Sequence, residues 1–65
     1  MQHFEIKQLS DKYITCKTIK AREAVNEAMN ELSEAISMNR KHELTINEYN
    51  IEIAYGTYVL TYWLF

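Results

Sequence analysis

Between Lys20 and Met38 the apolar residues Val25, Ala28, Met29, Leu32, Ala35 and Ile36 recur every three or four positions. That spacing lines one face of an α-helix and predicts a single buried helical stripe, flanked by Ala21 and Ala24. Asn39 is suited to close the helix, because it tolerates a left-handed backbone. Arg40, Lys41 and His42 then set positive charge at the negative end of the helix dipole.

Ahead of this helix, HFEIKQL and YITCKTI flank Ser10, Asp11 and Lys12. β-Branched and aromatic residues around a Ser-Asp turn signal predict a hairpin. With a three-residue loop, Leu9 faces Tyr13 and Ile6 faces Cys16, which puts Phe4, Ile6, Ile14 and Cys16 on the inward face.

The last third supports two periods. With a period of two, Tyr49, Ile51, Ile53 and Tyr55 share a face, and beyond Gly56 so do Tyr58, Leu60, Tyr62 and Leu64. With a helical period, Thr45 and Glu48 make a capping box, Leu44 and Tyr49 a hydrophobic staple, and Tyr49, Ile53, Gly56, Leu60 and Leu64 a stripe. The preferred reading is strands: Ile, Tyr, Thr, Val, Trp and Phe dominate, and a helix would be apolar on nearly every side from Tyr58 to Phe65. The expected fold is therefore α+β, strand-strand-helix-strand-strand with one long helix on an antiparallel sheet. The alternative is an N-terminal hairpin followed by two helices.

Composition sharpens this picture. In 65 residues there is room for one domain, 1–65, and 48% hydrophobic with 25% charged residues is the balance of a folded protein. A chain this short buries only about 60% of its unfolded surface, so its core is thin. Cys16 is the single cysteine and His3 and His42 the only histidines, which leaves neither a disulfide nor a four-ligand zinc site to reinforce it. Self-association is the remaining support. A lone thiol suits a reducing compartment, so the cytoplasm is expected; no signal-like start is present, and Thr57–Phe65 is too short to cross a bilayer.

Few side chains offer chemistry. Cys16 with His3 or His42 is the nearest approach to a nucleophile and base, but a cysteine on the inward face behaves as a small hydrophobe. One glycine cannot build a phosphate loop, and no metal cluster or nucleophile elbow is present. No enzyme activity, cofactor or metal is expected. A net charge of −2 disfavours nucleic acid, although Tyr13 and Trp63 with Lys7 and Lys17 offer a minor stacking alternative on the sheet.

Two surface features stand out. Glu23, Glu27, Glu31 and Glu34 run along the helix away from its apolar stripe, an acidic ridge that Lys20 only partly offsets. Same-sign neighbours at i,i+4 weaken an isolated helix, so beside the ordinary reading of a solvated face stands a functional one: the ridge docks on a basic surface of a partner protein and inhibits it by occlusion. Small acidic inhibitors encoded by phages and mobile elements work in this style, a likeness of size and charge with no shared motif. The second feature is the outward set Val59, Trp63 and Phe65, which predicts a homodimer through the C-terminal strand. A structural subunit of a larger assembly is the further alternative.

Overall fold

The computed structural model describes residues 4–65. Two helices, α1 (Phe4–Thr15) and α2 (Ile19–Ser37), precede a meander of β1 (Glu43–Ile46), β2 (Asn50–Tyr55) and β3 (Tyr58–Trp63). The class is α+β, and the order is helix, helix, strand, strand, strand.

The helical stripe forms α2 as its spacing dictates. Thr18 caps its start, the side-chain oxygen accepting the Ala21 N–H at 3.0 Å. At its end Asn39 takes the left-handed conformation with φ 57°. The Asn39 N–H donates to the Ile36 carbonyl at 3.0 Å and the Arg40 N–H to the Ala35 carbonyl at 2.8 Å, which satisfies two carbonyls that the helix leaves open. Ala21, Ala24, Val25, Ala28, Leu32 and Ala35 are buried. The four alanines keep this face shallow where it lies on the sheet.

The N-terminal hairpin is corrected to α1. Ser10 and Asp11 sit mid-helix, and Lys7 Nζ pairs with Asp11 Oδ2 at 3.1 Å across one turn. The face turned inward follows Ile6, Leu9 and Cys16, with Leu9 fully buried, whereas Phe4 and Ile14, expected inside, are 67% and 74% exposed. Local β-propensity lost to packing: as a helix the segment lays Leu9 and Ile6 against the core beside α2.

The strand reading of the last third holds, with the addition of β1. Thr45 stands in β1 and caps no helix, so the alternative of two helices fails. The sheet is antiparallel in the order β1-β2-β3, with Leu44 opposite Ile53, Ile46 opposite Ile51, and Ile53 opposite Leu60. Alternation turns Ile51 and Ile53 fully inward, joined by Leu44, Ile46, Tyr55 and Tyr62. Helix α2 packs over β2 and β3, while α1 packs against α2. Leu9, Val25, Leu32, Ile51 and Ile53 form the fully buried centre.

Helix α1 is also tied to the chain just ahead of β1. His42 Nε2 lies 2.9 Å from Glu5 Oε1, and His42 Nδ1 lies 2.8 Å from the Arg40 carbonyl. The imidazolium donates to both at once, and these contacts raise the His42 pKa above its ordinary value; the Glu5 hydrogen bond is the largest cause.

Candidate functional site

Strand β3 is an edge of the sheet. Its hairpin with β2 turns through Gly56 and Thr57, and Gly56 has φ +66°, which glycine accepts without strain at the first position of such a turn. The Leu64 N–H donates to the Tyr49 carbonyl at 3.0 Å just beyond the strand. Carried back through the register, the antiparallel alternation assigns hydrogen-bonded pairing with β2 to Tyr62, Leu60 and Tyr58. The N–H and C=O groups of Val59, Thr61 and Trp63 therefore point to the open edge.

The acidic residues of α2 run beside this edge. Glu23 and Glu27 line a cleft of about 320 Å³ together with Lys20, Thr61, Tyr62 and Trp63. The ridge and the C-terminal strand, two surfaces in the sequence, meet here in one place. Glu31, the next residue along the ridge, accepts a 2.6 Å hydrogen bond from the Tyr55 hydroxyl, while Glu34 is exposed beyond it. The Arg40 guanidinium carbon lies 3.8 Å from the centroid of the Tyr55 ring, a cation over its face.

The tyrosines report this environment. Burial, followed by the bond to Glu31, pushes the Tyr55 hydroxyl up to about 12. Burial also raises Tyr62, and the carboxylates of Glu31 and Glu27 raise it further. Both hydroxyls are held neutral, so the negative charge of the edge belongs to the glutamates.

The remaining candidates are spread over the molecule. Val59 and Trp63 are 46% and 57% exposed, with Thr61 between them. Phe65 stands apart from this pair, its ring edge-on to Tyr49 at 5.1 Å between centroids. Tyr13 and Lys7 lie on α1 and Lys17 follows it, so they share no sheet face with Trp63; Tyr13 instead lies beneath Arg22, 6.0 Å from the guanidinium carbon to the ring centroid. Cys16 is buried, His42 is engaged with Glu5, and His3 lies outside the described residues. Among the described residues no three His, Cys, Asp or Glu side chains are grouped to hold a metal ion, and no helix is long and apolar enough to cross a membrane.

The Tyr55–Glu31 bond escaped sequence reasoning because its partners are 24 residues apart on different elements. No family model, curated protein or solved structure matches the chain.

Proposed function

We propose that this chain is a non-catalytic binding protein that takes a basic, extended segment of a partner protein along the β3 edge and covers it. The observation that carries this reading is the meeting of an open strand edge with Glu23 and Glu27 in one cleft. An added strand draws affinity from main-chain hydrogen bonds, and alternate side chains draw specificity from what lies beside the edge. Here that is carboxylate and the aromatic surface of Tyr62 and Trp63, which suits lysine or arginine alternating with apolar residues.

Fluorescence anisotropy with a labelled peptide of alternating lysine and valine tests it. Binding should weaken as salt rises, and an alternating glutamate–valine peptide should not bind. Thr61→Pro removes an N–H assigned to the open edge, where proline is tolerated, and should abolish binding with the fold intact by circular dichroism. If neither Thr61→Pro nor the double reversal Glu23→Lys with Glu27→Lys changes the affinity, the reading fails.

The exposure of Val59 and Trp63 favours a second use of the same strand, pairing with another copy across a twofold axis. Such a pair would set the α2 helices of both copies on one side of a continuous sheet, with their glutamates facing. Salt would then strengthen the dimer, the opposite of its effect on a basic partner. Light scattering at low and high salt separates the two readings.

A further inference from the structure

At the start of α2, away from the Tyr55 end, the α1–α2 connection and the C-terminal residues line an open cavity of about 570 Å³. Its floor is Cys16, Ala21, Leu64 and Phe65, the first three of them buried. Its rim carries Lys12, Lys17 and Lys20, with Glu48 as the single acidic side chain. Among the described residues the ion pairs are Lys7–Asp11 and His42–Glu5, so none of the three rim lysines is held by a carboxylate. The rim is therefore positive on a chain whose net charge is −2.

From this cavity we infer a binding site for a single-chain anionic amphiphile, its headgroup among Lys12, Lys17 and Lys20 and its alkyl chain on Cys16, Ala21, Leu64 and Phe65. The volume lies within the range of about 300–1,000 Å³ usual for small-molecule sites. An inorganic anion would answer the lysines and leave the apolar floor wet, while a neutral hydrocarbon would cover the floor and leave the charge unanswered. A lipid bilayer fits less well, because Cys16, Ala21 and Leu64 are buried and only Phe65 projects, whereas a membrane is entered by apolar surfaces that project.

Calorimetric titration of the folded chain with octyl, decyl and dodecyl phosphate, each below its micelle concentration, tests the site. Saturable one-to-one binding is expected, tightening about fourfold per added methylene. Decyltrimethylammonium and inorganic phosphate should give no saturable heat. Each of Lys12→Gln, Lys17→Gln and Lys20→Gln should weaken decyl phosphate about fivefold, the effect of one lysine facing an anionic surface.

Phe65 is exposed, so Phe65→Ala leaves the core untouched and should weaken the longer chains most. Circular dichroism confirms that each variant is folded. Absence of binding by every alkyl phosphate, equal binding of inorganic phosphate, indifference to all three lysine variants, or a response only to vesicles of anionic phospholipid would each overturn the proposal. The last result would assign the surface to membranes.

Discussion

The Tyr55 hydroxyl donates to Glu31 Oε2 at 2.6 Å, and this one bond fastens the β2–β3 hairpin to the acidic side of α2. Hydrogen bonds to charged groups contribute about 1.5–3 kcal/mol. Tyr55→Phe should therefore destabilise the fold by about 2 kcal/mol in urea denaturation, and Glu31→Gln, which keeps an acceptor, by less.

The same pair makes a prediction about alkaline pH. The folded-state pKa of Tyr55, about 12, lies above the ordinary value of 10. The associated stability is fully present below pH 10 and lost as pH rises from 10 to 12. Tyr55→Phe should flatten that part of the stability profile relative to the parent chain.

At lower pH the contact between α1 and the segment before β1 titrates. His42 is raised above its ordinary 6.5, so its contribution is complete below pH 6.5 and disappears as pH rises through the folded-state pKa. Denaturation at pH 5.5 and 8.5 should show a loss at the higher pH that is absent in both His42→Gln and Glu5→Gln. A parent chain equally stable at both values would reject the clamp.

Backbone conformation predicts opposite outcomes at two turns. At Asn39, φ 57° is easier for glycine than for asparagine, so Asn39→Gly should stabilise by about 0.5 kcal/mol and Asn39→Ala destabilise by about 1 kcal/mol. At Gly56 an added Cβ meets nothing within 4 Å, and Gly56→Ala should still cost about 1 kcal/mol because φ is +66°. Thermal denaturation of the three variants measures both effects.

Glu27 lies one turn from both Glu23 and Glu31. Glu27→Lys replaces two repulsive i,i+4 pairs with attractive ones and should stabilise the chain by about 0.5–1 kcal/mol at low salt while weakening its grip on a basic peptide. A gain in stability with unchanged peptide affinity would mark the ridge as ordinary solvated surface.

The identity of α1 as a helix can be checked by two truncations. Leu9→Ala should cost about 2–5 kcal/mol, enough to unfold much of a chain this small, and Ile14→Ala less than about 0.5 kcal/mol. A hairpin with Ile14 inside would reverse that ranking.

What could be read from the chain followed from periodicity, and what could not depended on distance. Helix α2 carries six regularly spaced apolar residues, and β2 and β3 alternate around Gly56, so the period gives the inward positions Ile51, Ile53, Tyr55, Tyr62 and Leu64. Tyr49, just ahead of β2, and Tyr58, at the start of β3, are expected on the same faces but are 55% and 59% exposed. In α1 only Ile6 and Leu9, with Cys16 just beyond its end, mark the inward face, while Tyr13, Ile14 and Thr15 favour strand and Ser10-Asp11 imitates a turn. The Thr18 cap was the missed signal of a helix boundary. Strand β1 was hidden by Thr45 and Glu48, whose spacing satisfies a capping box equally well. The acidic ridge was visible as spacing; its position beside β3 was not, because that depends on which flank of α2 the sheet edge meets.

The order of elements also bears on how quickly the chain folds. The strands are joined consecutively, and α1 and α2 are linked by only Cys16, Lys17 and Thr18. The loops to be closed are short, apart from the docking of α2 on the sheet and the reach of Glu5 to His42. Such topologies reach their transition state at low entropic cost, and without a proline in 65 residues no isomerisation delays them. Stopped-flow refolding should show one exponential phase, finished well within a second, so that the α2 glutamates and the β3 edge come together in a single cooperative step.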